Sequence, residues 1–112
     1  MVTAAPDRGD LVWLEFSPQA GHEQAGRRPA LVISPALYNS RSGLALVCPV
    51  TTKSKGYPFD VHLPGGLPVY GVIQSDQLRS LDWKERKTMP IARVPDSTLQ
   101  SVLDKIRPLL GV

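Results

Sequence analysis

Seven consecutive residues, His22 to Arg28, carry an imidazole, a carboxylate and two guanidiniums. They lie in the stretch Gly21-His22-Glu23-Gln24-Ala25-Gly26-Arg27-Arg28-Pro29. Glycines at Gly21 and Gly26 let the backbone turn where other residues resist, so polar side chains can converge. An acid, a base and a fixed positive charge together are what phosphoryl chemistry without a metal requires.

Two further segments add to this chemistry. Pro49-Val50-Thr51-Thr52-Lys53-Ser54-Lys55-Gly56-Tyr57-Pro58 leads from an apolar run into hydroxyls, amines and an aromatic ring. Thr51, Thr52, Lys53, Ser54 and Lys55 are phosphate-binding candidates, and Tyr57 can stack on a base. In Gln74-Ser75-Asp76-Gln77-Leu78-Arg79-Ser80-Leu81-Asp82-Trp83, Asp76 and Gln77 can read base edges, and Arg79 can hold a phosphate. Each segment taken alone also has a plain structural reading. Glu23 and Arg28 could form a surface salt bridge, Thr51 could be a strand residue only, and Asp76 could cap a turn. Trp13 and Trp83 read as core or interface aromatics.

The remaining chemical residues read as structural. His22, His62 and Cys48 are the only histidine and cysteine ligands, without metal-ligand spacing, so no metal and no cofactor is expected. Cys48, in Leu44-Ala45-Leu46-Val47-Cys48, reads as a buried, inert thiol. His62 reads as a strand-face histidine. Neither a nucleotide-binding glycine loop nor a G-x-S-x-G elbow occurs.

The elements that position these residues follow from periodicity. Eleven prolines and nine glycines divide the chain into short segments. Strand-like runs cover Leu11–Phe16, Ala30–Ser34, Leu44–Val50, Phe59–Leu63, Val69–Ile73 and Thr88–Val94. In the first, Val12, Leu14 and Phe16 share a face. Ala30-Leu31-Val32-Ile33 is apolar throughout, as in a strand covered on both sides. Pro64-Gly65-Gly66 reads as a turn. Short strands at this spacing predict a small, strongly bent sheet or barrel. Near the C-terminus the period becomes helical: Leu99, Val102, Leu103, Ile106, Leu109 and Leu110 form one stripe, expected to lie on the sheet. Ser97 with Gln100 reads as a capping box, Pro108 as a bend or end, and Gly111 as the stop.

The composition allows one domain over 1–112: 112 residues, 42% of them apolar. A membrane span needs roughly 20 apolar residues in sequence, and none is present. The N-terminus lacks the apolar region of a secretory signal, so a cytoplasmic location is expected. The net charge of +3 is unevenly placed. From His22 to Lys55, five cations (Arg27, Arg28, Arg41, Lys53, Lys55) face Glu23 alone, a local charge of +4, whereas Pro95 to Val112 is neutral. Such a patch attracts polyanions; a solubilising surface is the plainer reading of the charge by itself.

Together these segments resemble the MazF family of toxin endoribonucleases, within the wider MazF/Kid/CcdB group. The resemblance rests on Gly9-Asp10-Leu11-Val12-Trp13, Glu23 to Pro29, Ser34-Pro35 with Tyr38-Asn39, Thr51 to Pro58, and Asp76 to Trp83. These run in one order from Gly9 to Arg86, about 70% of the chain. It implies a mainly β fold, an SH3-like small β-barrel over about 9–94 with a C-terminal α-helix over about 96–110, acting as a homodimer. It implies sequence-specific, metal-independent cleavage of single-stranded RNA, mainly mRNA, which stops translation and growth. It also implies inhibition by a cognate acidic antitoxin.

The resemblance assigns catalysis to Glu23, Arg28 and Thr51. The 2′-hydroxyl before the cut would attack the adjacent phosphorus, giving a 2′,3′-cyclic phosphate and a 5′-hydroxyl. Glu23 is then the general base, Arg28 the partner of the phosphorane charge, and Thr51 a hydrogen-bond partner of the phosphate. An arginine with pKa above about 12 is a costly base. His22 is a candidate acid, and with Arg27, Thr52, Lys53, Ser54, Lys55, Tyr57, Asp76, Gln77 and Arg79 it makes up the expected RNA-binding set. The alternative is a binding module, either a CcdB-like gyrase poison or a catalytically silent barrel; intact Glu23, Arg28 and Thr51 argue against both.

Overall fold

Strand β3 (Leu44–Thr51) organises the molecule, because it is long enough to serve three neighbours. In the computed structural model, which describes residues 4–17, 21, 24–54 and 56–112, one edge of β3 pairs with β2 (Arg27–Val32). Its other edge pairs first with β6 (Arg79–Asp82), over Leu44 to Val47, and then with β5 (Val72–Gln74), through Val50 and Thr51. Strand β1 (Asp10–Glu15) lies between β2 and β7 (Met89–Arg93), and β4 (Asp60–His62) closes a hairpin onto β5. All pairings are antiparallel, in the order β4-β5-β3-β2-β1-β7 with β6 branching from β3. The described strands form a small barrel-like sheet that is not closed between β4 and β7.

Side-chain alternation explains why both sheet faces are covered. In β2 and the residue after it, Ala30 and Val32 join Val12, Leu14, Phe16, Val47, Leu81 and Trp83 in one core. Leu31 and Ile33 join Leu11, Cys48, Val50, Ile73, Val102 and Ile106 in the other. The shared face of Val12, Leu14 and Phe16 and the two-sided burial of Ala30 to Ile33 are therefore as the pattern predicts.

Helix α2 (Asp96–Leu110) covers the second core with Val102 and Ile106, while Leu99 and Leu103 pack at its margin. Leu109 and Leu110, expected in the same stripe, are exposed, because the helix runs past the core it covers. The helix spans the expected 96–110, but one sequence expectation fails at its start, and of the bend or end expected at Pro108 the end does not occur. Ser97 is not the N-cap: Pro95 is, with no side-chain cap, and its carbonyl accepts from Thr98 and Leu99. Gln100 reaches forward to Asp104 instead of back. Nor does Pro108 end the helix. It only removes one donor, and the chain continues to Gly111, whose left-handed φ of 73° lets Gly111 and Val112 donate to Pro108 and Arg107 carbonyls.

Helix α1 (Ala36–Ser42) and strand β6 carry no periodic signal long enough to announce them. Helix α1 is held from outside itself. The Asp7 carboxylate accepts from the Ala36 and Arg8 amides, and these two bonds hold its carboxyl below the usual carboxylate range. Asn39, fully buried, accepts from Ser34 Oγ, donates to the Pro6 and Ser34 carbonyls, and accepts at its own carbonyl from the Trp83 indole.

Candidate active site

A cleft of about 710 Å³ opens where the start of β2, the end of β3 with its following loop, the β4–β5 hairpin and the 3-10 turn Ser75–Gln77 meet. Its wall is formed by Gln24, Arg27, Arg28, Pro29, Val50, Thr51, Thr52, Lys53, Tyr57, Asp60, Gln74, Asp76 and Gln77. Two of the three expected catalytic residues, Arg28 and Thr51, therefore stand on one cavity.

Register accounts for their meeting. Arg27 and Arg28 begin β2 opposite Glu15 and Leu14 of β1. On the other side of β2, Ala30 pairs with Pro49 of β3. Arg28 and Thr51 lie two residues beyond that pair in opposite directions, so the alternation of the strands sends both to one side of the sheet.

The loop before β2 is held at its base and on its flank. Phe16 donates to the Gly26 carbonyl, and the Gly26 amide donates to Ser17 Oγ, with Gly26 at a left-handed φ of 78°. The Gln24 amide donates to Gln77 Oε1 at 3.1 Å, tying the loop to the 3-10 turn. Arg28 Nε donates to the Ala25 carbonyl at 3.0 Å, which fixes the plane of the guanidinium. His22 and Glu23 lie outside the described residues, as does Lys55.

Thr51 is buried, 6% exposed. Its Oγ1 accepts from the Lys53 amide at 3.1 Å, a short local turn after β3. The hydroxyl proton is thereby directed elsewhere, and an incoming phosphate oxygen is a suitable acceptor. Arg27, Thr52, Lys53, Tyr57 and Asp76 are exposed on the same wall. Tyr57 is 52% exposed, enough ring for a base to stack on.

Three expected RNA-binding residues stand differently. Ser54 is absent from the cleft wall: its hydroxyl donates to Asp60 Oδ2 and accepts from the Gly56 amide, so it shapes the loop. Arg79 is also off the wall, opposite Val47 on β6 with its guanidinium 5.9 Å from the Phe16 ring centre. Gln77 does line the cleft, but its side-chain oxygen holds the Gln24 amide. The sequence reading missed Gln24, Pro29, Val50, Asp60 and Gln74. Asp60 and Gln74 are partners across the β4–β5 ladder, a pairing that no local motif announces.

The other structural readings agree with their surroundings. Cys48 is buried and free, its thiol pushed up to about 12, first by burial and then by the charge of Asp76. Trp83 is a core residue and His62 an exposed strand residue. Among the described residues no group of three His, Cys, Asp or Glu side chains could hold a metal ion, and no helix is long and apolar enough to cross a membrane.

Known proteins resemble this chain in sequence and fold. Residues 7–110 match the family described as PemK-like, MazF-like toxin of type II toxin-antitoxin system. The chain is 46% identical to the endoribonuclease toxin MazF of Escherichia coli K12 over 106 residues, covering 95% of each chain. It is 33% identical to endoribonuclease EndoA of Bacillus subtilis, covering 94% of each. Among solved structures, MazF (Form-I) from Deinococcus radiodurans superposes with a TM-score of 0.94 at 56% identity, covering 96% of this chain and 98% of that one. A MazE-MazF structure (Form-II) from the same organism gives a TM-score of 0.87 at 56% identity, covering 96% and 97%. Family match, sequence identity and fold agree, and the chain belongs to the PemK-like, MazF-like toxins of type II toxin–antitoxin systems.

Proposed function

We propose that this chain is the toxin of a type II toxin–antitoxin pair and cuts single-stranded RNA, mainly mRNA, at a short recognised sequence in the cytoplasm. The observation that carries this reading is the convergence of Arg28 and Thr51 on one cleft that also holds Arg27, Lys53 and Tyr57. The named endoribonucleases among its relatives support the activity. The Deinococcus radiodurans MazE-MazF structures support an antitoxin as its inhibitor. The toxin acts as a homodimer in this reading.

The RNA supplies its own nucleophile. Glu23 takes the 2′-hydroxyl proton, and the 2′-oxygen attacks the adjacent phosphorus. The bond from phosphorus to the 5′-oxygen breaks, and that oxygen receives a proton from a general acid, for which His22 is the candidate. Arg28 faces the developing charge with a planar fork that can bridge two phosphate oxygens, and Thr51 Oγ1 hydrogen-bonds the same phosphate. A 2′,3′-cyclic phosphate and a 5′-hydroxyl result, and no step calls for a metal ion.

The test is cleavage of a long, unstructured RNA by the purified protein in EDTA, with cut sites and end groups mapped beside Arg28→Ala. Cuts at one short sequence with cyclic-phosphate ends are expected, and Arg28→Ala should be slower by at least about 100-fold while folding normally. Near-normal cutting by that variant would remove Arg28 from the mechanism. No cutting by the folded wild-type protein would leave the binding-module reading, with gyrase the next target to assay.

A further inference from the structure

The proposed mechanism leaves one polar feature of the cleft unused. Asp60 on β4 and Gln74 on β5 stand directly opposite one another, so their side chains leave the same face of the hairpin as neighbours. Both line the cleft. Asp60 Oδ1 and Gln74 Oε1 are each shielded from solvent and, among the described residues, accept no hydrogen bond. The Asp60 carboxylate is held through its second oxygen, which accepts from Ser54 Oγ at 3.3 Å.

A shielded acceptor left unpaired is destabilising. Two side by side on a cavity wall describe the complement of a ligand that brings donors. An ionised carboxylate only accepts, and the unpaired oxygen of Gln74 is a second acceptor, next to the donors of its own amide nitrogen. Among nucleobases, adenine, cytosine and guanine carry an exocyclic amino group that can donate to such a wall. The edge of uracil carries two carbonyl oxygens around a single N–H, and an oxygen that faced the Asp60 carboxylate would meet it without a proton between them. Tyr57 on the same wall offers the base a ring to stack on.

We propose that Asp60 and Gln74 form a base-reading subsite that selects an amino-bearing base over uracil at one position of the recognised RNA. This deepens the ribonuclease reading and rests on it. Favourable contacts of this kind are lost together with the acceptors, so favoured sites should be cut more slowly relative to the others, and the change is read from which sites are cut.

The experiment is sequencing of all cut ends in a long mixed RNA treated with wild type, Asp60→Asn or Gln74→Leu. Asp60→Asn turns one acceptor into a donor at nearly constant shape; Gln74→Leu removes the other. At one position the wild-type preference against uracil should fall by about 10-fold in each variant, with the other positions unchanged. The profile is a ratio of sites cut by one protein, so partial unfolding of a variant does not distort it. Identical profiles for all three proteins would overturn the subsite while leaving the nuclease intact. Absence of cutting by the wild type would overturn both.

Discussion

A Cβ placed on Gly71 would lie 2.5 Å from the carbonyl oxygen of Thr51. The backbone of the loop entering β5 thus packs against the residue that carries the candidate hydroxyl, at a distance no side chain tolerates. Gly71 also has a φ of 132°, which L-residues avoid. The Gly71→Ala variant should push β5 away from Thr51 and move that hydroxyl relative to Arg28. Misplacement by about 1 Å can cost about 100-fold in rate, so RNA cleavage should fall at least about 10-fold, together with a lower thermal midpoint. Wild-type activity and stability in Gly71→Ala would show that the contact positions nothing.

Residues whose partners are near in sequence were the legible ones. The alternation in Leu11 to Phe16, the apolar run Ala30 to Ile33 and the helical stripe from Leu99 to Ile106 each declare the face that they bury. Arg28 and Thr51 were legible only through the family pattern, since nothing local says that two strands will bring them together. Asp60 and Gln74 were not legible at all, because the β4–β5 register that sets them opposite one another is a tertiary fact. Ser54 and Arg79 have internal neighbours that the sequence does not reveal, for a related reason. A hydroxyl beside lysines and an arginine beside an aspartate look like ligand-binding groups, and the fold adds internal neighbours, Asp60 and Phe16, that no local motif announces. At the helix start, Ser97 has a cap-like sequence, but the helix begins two residues earlier, with Pro95 as its N-cap.

Asn39 holds together parts of the chain that share no sheet pairing. Its side chain binds Pro6 and Ser34, and its carbonyl takes the Trp83 indole at 2.8 Å as well as the Gly43 amide. Asn39→Asp keeps the shape, loses both donated bonds and buries a charge. It should destabilise the fold by at least about 3 kcal/mol, measured by urea unfolding. Trp83→Phe leaves the Asn39 carbonyl one accepted bond and should cost about 1–3 kcal/mol. A smaller loss for Asn39→Asp than for Trp83→Phe would mean that the polar node is not what anchors α1.

Arg27 and Lys53 are exposed cations on the cleft wall, and in the proposed function they meet phosphates rather than bases. Contacts of that kind position the strand without reading it. Arg27→Ala and Lys53→Ala should each weaken binding of an RNA whose cut-site 2′-hydroxyl is replaced by hydrogen. The loss should be similar for favoured and disfavoured sequences. The slope of log affinity against log salt should shrink by about 0.7 for each phosphate contact removed. A loss confined to the favoured sequence would instead make these residues base readers.

Cys48 links burial to alkaline stability. Burial, aided by the charge of Asp76, pushes its thiol up to about 12, against about 8.5 for a thiol in the unfolded chain. Above the lower value the unfolded state releases a proton that the folded state keeps. The contribution of the neutral thiol is therefore complete below about pH 8.5 and is lost progressively up to about pH 12, by at most about 1.4 kcal/mol per pH unit. Cys48→Ala has no such proton to release. The stability advantage of the wild type over this variant in urea unfolding should shrink by about 2 kcal/mol between pH 8 and pH 10, while lysines and tyrosines, common to both proteins, cancel in the difference. A constant advantage across that range would mean that the thiol ionises as readily in the fold as outside it.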